Sequence, residues 1–143
     1  MARKSLTLNR EARVEFTFKA IGTVENSCND LLEPGVIRAL QSRIILEPEL
    51  AAGLTGFKPG DRLLVLFAFH LIEDGFELMQ RPRKDPKREP QGVFTLCSPR
   101  RPNPIGATVV DLLEIHENVL LVTGLDAING TPVLDIKPAF KSL

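Results

Sequence analysis

Gln91-Gly92-Val93-Phe94-Thr95-Leu96-Cys97-Ser98-Pro99-Arg100-Arg101-Pro102-Asn103-Pro104-Ile105-Gly106 begins as an apolar run and ends as a stretch that no regular element accommodates. Pro99, Pro102 and Pro104 each fix φ and remove a backbone donor. Each also pushes its predecessor towards extended geometry. Arg101-Pro102-Asn103-Pro104 is therefore stiff, extended and non-helical, and Gly106 permits a bend before the next apolar run. A rigid segment with two adjacent arginines suits a site that holds a ligand or a polyanion. The competing reading is a Pro-rich connector with solvated charges.

On either side of this stretch the chain reads as short strands. Val14, Phe16 and Phe18 alternate with Glu15, Thr17 and Lys19, the period of a strand with one buried face, continuing to Ile21-Gly22-Thr23-Val24. Glu25 to Pro34 is turn-rich, Val36 to Leu40 is ambiguous, and Arg43 to Leu46 reads as strand. Pro48 to Leu54, with proline at a first helical position, predicts one short helix. After the turn Lys58-Pro59-Gly60-Asp61 comes the apolar run Arg62 to His70, read as a strand covered on both faces. Glu73 to Pro90 reads as loop and Val93 to Cys97 as strand. Thr108 to Ile115 and Val119 to Val122 form a hairpin about His116-Glu117-Asn118. Asn129-Gly130 is a hairpin-turn dipeptide, and Val133 to Ile136 closes the sheet. The expected fold is mainly β, a small closed or partly open β-barrel with one short helix, in a single domain over residues 1–143.

Net charge is zero, so the chain is not coated in positive charge for nucleic acid. From Arg81 to Arg101, however, seven basic residues face two acidic ones, a local +5. That segment is either a phosphate-binding patch or a solvated loop. Cys28 and Cys97 make no disulfide framework and no metal-binding CxxC pair, and they read as free thiols in a reducing cytoplasm. No apolar run approaches the ~20 residues of a membrane span. Met1-Ala2-Arg3-Lys4-Ser5 lacks the apolar core of a signal peptide.

The string Arg101-Pro102-Asn103-Pro104-Ile105-Gly106 resembles the signature of the TsaA-like, or TrmO, family. Leu125-Asp126-Ala127-Ile128-Asn129-Gly130-Thr131-Pro132-Val133-Leu134-Asp135-Ile136-Lys137-Pro138 resembles that family's second block, and a weaker likeness reaches back to Ile21-Gly22-Thr23-Val24. The resemblance implies a small dimeric β-barrel that binds S-adenosyl-L-methionine. It implies methyl transfer to N6 of a threonylcarbamoylated adenosine beside the tRNA anticodon. Methyl transfer from a sulfonium needs alignment and exclusion of water more than a catalytic triad, and no catalytic base is assigned. Nothing in the residues alone points to methylation.

As the resemblance implies, cofactor contacts fall on His70, Leu71, Cys97, Ala107, Thr123, Gly124, Leu125 and Asp126. Substrate contacts are expected from Arg101, Asn103, Asp135 and Lys137. Read alone, His70 is a capping or core histidine, Asp126 an Asx-turn residue, and Arg101 a structural ion-pair partner. Asp135 lies within a strand, where an inward acid needs a partner and Lys137 is the nearest in sequence.

Three departures stand out. Family members carry Pro-Arg-Gln where this chain reads Leu31-Leu32-Glu33-Pro34-Gly35. They carry Thr-Arg-Ser where it reads Leu96-Cys97-Ser98, and Lys-Pro-Tyr where it reads Lys137-Pro138-Ala139. Cys97 thus replaces a cofactor-contacting arginine, unless Arg100 or Arg38 substitutes for it. Two alternatives therefore stand beside a tRNA methyltransferase. One is a barrel that binds the cofactor or another nucleotide without catalysis. The other is a methyltransferase of a small molecule, because the C-terminal extension of larger members is not in this sequence.

Overall fold

The structure, a computed structural model, describes residues 14–30, 34–72 and 75–139. Six strands close into an antiparallel barrel: β1 (Gly22–Glu25), β2 (Gln41–Leu46), β3 (Arg62–Ala68), β6 (Ile105–His116), β7 (Val119–Thr123) and β8 (Pro132–Pro138). Around the barrel they run β1-β2-β7-β6-β3-β8, and β8 returns to β1. A two-stranded ribbon of β4 (Met79–Gln80) and β5 (Gln91–Gly92) lies in the long β3–β6 connection. Helix α1 (Pro34–Arg38) precedes β2, and a 3₁₀ helix spans Pro48–Leu54. No helix among the described residues is long and apolar enough to cross a membrane.

Strand period decides what fills the barrel. Leu63, Val65 and Phe67 point inward from β3, Val110 and Leu112 from β6, Leu120 and Val122 from β7, and all are at most 2% exposed. Each such side chain contributes roughly 1.5–3 kcal/mol on burial. The outer residues of β3 are half-covered, so the run from Arg62 is a strand with one buried face, not two. The long strand β6 makes closure possible. Its first part pairs with β3 from Ile105 to Asp111, and its second pairs with β7 from Asp111 to His116. A register shift between Leu112 and Glu114 turns the corner between them.

Several expectations are corrected. Residues 14–20 alternate like a strand but pair with no strand among the described residues: Val14, Phe16 and Phe18 are more than 70% exposed, and β1 begins at Gly22. Val93–Thr95 is a 3₁₀ turn rather than a strand, because Val93 alone of the three is buried while Phe94 faces outward. The predicted helix at Pro48–Leu54 is 3₁₀, and the α-helix is the ambiguous segment before β2. The Asn129-Gly130 turn joins two strands that do not pair, since β8 lies between β1 and β3. Gly106 is no bend but the second residue of β6, packed under Phe67. The expected hairpin about Glu117 and the closure of the sheet by the last strand both hold.

Candidate functional site

The chain leaving β3, Phe69-His70-Leu71-Ile72, forms part of a cleft of about 270 Å³, near the small end of ligand-site volumes. The β7–β8 link adds Asp126, Ala127, Ile128 and Thr131, α1 adds Ile37, and the loop before β6 adds Cys97 and Pro99. The lining is mostly apolar, with the Asp126 carboxylate, the His70 ring and the Cys97 thiol as its polar side-chain features besides the Thr131 hydroxyl.

The β7–β8 link is fixed by asparagines. Asn26 Nδ2 donates to the Ala127 carbonyl and to Ser42 Oγ, both at 2.9 Å. Asn129 Oδ1 accepts from the Asn26 amide at 3.1 Å, and the Gly130 amide donates to the Val24 carbonyl at 2.7 Å. Gly130 takes φ +86°, a left-handed conformation that glycine adopts without strain. The buried Thr131 hydroxyl donates to the Ile128 carbonyl at 2.7 Å. This wall of the cleft is therefore held in one shape before any ligand arrives.

Asp126 has partners on both carboxylate oxygens. Arg38 Nη2 lies 3.0 Å from Oδ2, and the Thr108 hydroxyl donates to Oδ1. The carboxylate side chain is 20% exposed, so it keeps some access to the cleft. Arg38 thus reaches the site, as a partner of Asp126.

The proline loop is braced from within. Arg101 Nη1 donates to the Leu96 carbonyl at 2.8 Å and to the Ser98 carbonyl at 3.3 Å. The Phe69 amide donates to the Pro104 carbonyl at 2.9 Å, tying the loop to the end of β3. A second hollow of about 170 Å³, lined by Phe76, Arg101, Pro102 and Pro104, shares Ile72 and Pro99 with the first.

Of the residues expected to touch a cofactor, the fold gathers His70, Leu71, Cys97 and Asp126 into the first cleft. Thr123 ends β7 opposite Gln41 and Asp111, and the Gly124 amide donates to the Arg38 carbonyl at 3.2 Å. The Leu125 side chain is fully buried in the core. Ala107 lies on the exposed face of β6, opposite Leu66 of β3. On the other side of Leu66 stands Asp135, which faces outward and pairs with Lys137 at 2.8 Å. Asn103 is exposed, and its carbonyl accepts from the Ile105 amide at 2.7 Å. The expected substrate residues are therefore divided between the second hollow and the outside of the barrel. The departure at Leu31-Leu32-Glu33 lies outside the described residues.

Ile37, Phe69, Ile72, Ile128 and Thr131 were not expected from the sequence. Their signal was weak, since single apolar residues beside turns mark core as often as cleft.

The basic segment is a shaped loop. Arg81 Nη1 donates to the carbonyls of Pro86 and Arg88, drawing the loop together from inside. Arg83 and Lys84 hold φ of 53° and 56°, left-handed values uncommon outside glycine. Gln80 Nε2 anchors the ribbon to the Arg100 carbonyl at 2.6 Å. Lys84, Lys87, Arg88 and Arg100 remain exposed.

Comparison with known proteins adds to this geometry. Residues 31–143 match the family model of the tRNA-methyltransferase O N-terminal domain. A probable S-adenosyl-L-methionine-binding protein of Methanothermobacter thermautotrophicus is 35% identical over 133 residues, covering 91% of this chain and 94% of the relative. The tRNA (adenine(37)-N6)-methyltransferase of Escherichia coli is 33% identical over 134 residues, covering 86% of this chain but 57% of the relative. The crystal structure of TrmO from Pseudomonas aeruginosa superposes with a TM-score of 0.70 at 26% identity, covering 90% of this chain and 56% of that one. The chain thus spans little more than half the length of the methyltransferases it matches.

Proposed function

The chain belongs to the tRNA-methyltransferase O family, and from that premise we propose that it is an S-adenosyl-L-methionine-dependent methyltransferase acting on N6 of the adenosine beside the tRNA anticodon. The observation that carries this is the cleft, where the end of β3, the Cys97–Pro99 loop and the β7–β8 link come together across the chain. Its chemistry fits the cofactor. Phe69, Ile72 and Ile128 offer apolar surface for a flat adenine, and the Asp126 carboxylate suits a cationic ligand or ribose hydroxyls.

S-adenosyl-L-methionine supplies an activated methyl group when bound. The protein's share is alignment and exclusion of water. The clamp of Asn26 and Asn129 fixes one wall, and Arg38 and Thr108 hold the Asp126 carboxylate in a single orientation. The exposed cations of the Arg81–Arg88 loop and Arg100 form the polyanion-facing side. The working form in this reading is a homodimer in the cytoplasm, where its two free thiols persist.

A second reading has a specific motive. Cys97 lines the cleft where the family's pattern has an arginine, and Asp126 is already engaged by Arg38. Both weaken the hold on a methionine moiety and favour a module that binds the cofactor without turnover. Calorimetry with S-adenosyl-L-methionine and S-adenosylhomocysteine, followed by transfer of labelled methyl to tRNA, tests both. Binding with transfer is the expected result. Binding without transfer leaves the second reading or a methyltransferase of a small molecule, which weak affinity for tRNA would favour, and no binding overturns all three.

A further inference from the structure

Among the described residues, the cations between Arg81 and Arg101 have no acidic partners. Five lysine or arginine side chains elsewhere do: Arg38, Arg43, Lys58, Arg62 and Lys137. Asp85, the acid among the loop cations, accepts instead from the Lys87 main-chain amide at 2.9 Å. The net charge of the chain is zero, yet this one run of cations stays unpaired, so it presents positive charge to an anion outside the chain.

Phe94 stands beside this run. Its ring is 75% exposed, and no aromatic pair among the described residues includes it. The backbone beneath the ring is pinned. Val93 is buried, its amide donates to the Leu78 carbonyl at 2.8 Å, and its carbonyl accepts from the Leu96 amide at 3.1 Å. The Thr95 hydroxyl donates to the Gly92 carbonyl at 2.7 Å. Leu78 and Met79, on the facing chain of the ribbon, are exposed as well. A flat ring on a fixed turn loses little freedom when a partner covers it.

Its position joins two features already described. Gln91 belongs to the ribbon that closes the basic loop, Cys97 lines the cleft, and each is three residues from Phe94. Three residues span at most about 11 Å between Cα atoms. The ring therefore stands between loop and cleft along one continuous stretch. The chemistry of its partner follows. A duplex offers phosphates and groove edges but keeps its base faces stacked, and only an unpaired base has a face free for a ring. A protein partner with an apolar patch would use Phe94, Leu78 and Met79 but not the cations.

We infer that Phe94 is a stacking platform for an unpaired base of the bound RNA, outside the cleft, with Lys84, Lys87 and Arg88 holding the phosphates that lead to it. This rests on the tRNA reading above and adds a base contact to it. The chain has no tryptophan, so Phe94→Trp places a single fluorophore at the contact. A single-stranded RNA oligonucleotide should quench it, and a duplex of the same sequence should quench it far less. Phe94→Ala should weaken tRNA binding by about fivefold to a hundredfold, the worth of one stacked base, with an unchanged salt slope because no charge is lost. Phe94→Leu should bind as weakly as Phe94→Ala, and Phe94→Trp as tightly as wild type. The ring is exposed, so circular dichroism and mass should stay the same in all three. Four results overturn the platform and leave the tRNA reading standing: wild-type affinity in Phe94→Ala, full affinity in Phe94→Leu, equal quenching by the duplex, or a changed mass in Phe94→Ala, which would make the ring a contact between copies. Absence of RNA binding by the wild-type protein overturns both.

Discussion

The Phe67 ring occupies the space that a side chain at Gly106 would need: a Cβ there would lie 2.4 Å from both Cε2 and Cζ. The two residues face each other across the β3–β6 ladder, and Phe67 is 2% exposed. The glycine that ends the Arg101–Gly106 string thus serves packing, not ligand binding. Gly106→Ala must shift a core ring and should cost about 1–3 kcal/mol, the usual range for overpacking. Urea denaturation should register this as a lower midpoint with an unchanged slope. Gly106→Ala as stable as wild type would mean that the ring relaxes freely.

Asp126 is expected to matter for binding more than for folding. Asp126→Ala removes the partner of Arg38 and of the Thr108 hydroxyl. Arg38 is 55% exposed, so the lost ion pair itself is worth little. Calorimetry should report weaker S-adenosyl-L-methionine binding, by about tenfold or more if a charge-assisted bond to the ligand is lost. Equal affinity in the variant would remove Asp126 from the cofactor site.

Cys97 is exposed and lines the cleft, so a longer side chain there has room. Cys97→Arg should tighten cofactor binding by about tenfold to a hundredfold, the worth of one hydrogen bond to a charged group. If affinity is unchanged or falls while the protein stays folded, this chain does not grip the methionine carboxylate at that position, and binding without turnover becomes the better reading.

For tRNA, the loop offers a clean test because its cations differ in their engagement. Arg81 holds the loop's carbonyls together, whereas Lys84, Lys87 and Arg88 present side chains to solvent. Charge reversal at those three outer positions should weaken tRNA binding and flatten its salt dependence without lowering stability. Filter binding across a salt series measures both. Wild-type affinity in the triple variant would remove the loop from the interface.

The barrel was legible because short apolar runs are set apart by Pro- and Gly-marked turns, but the unbroken run from Leu63 to Phe69 hid the period-2 burial of Leu63, Val65 and Phe67. The same pattern misled at Val14, Phe16 and Phe18, since alternation reports an amphipathic strand but not who covers it. Val93 to Cys97 misled for another reason: a short apolar run reads alike whether it is strand or 3₁₀ turn. In the cleft, His70, Cys97 and Asp126 came from family motifs, and the fold does bring them together. Ile37 and Ile128 were invisible beforehand because a lining residue is defined by what faces it across the chain. The Arg101 side chain illustrates the converse, a motif arginine whose guanidinium braces its own loop.

The pairing of Gly22 with Val133 sets a condition on synthesis. Among the described residues β8 is the only strand that touches both β1 and β3, so the barrel cannot shut until distant parts of the sequence have met. During translation β1 to β7 leave the ribosome with that gap still open, and their inward faces, Val24 and Leu63 among them, stay partly wet. Ends so distant in sequence meet slowly, because loop-closure entropy is met before the contacts that offset it. The nascent chain therefore passes through a window in which an unclosed sheet is exposed to its neighbours on the same polysome.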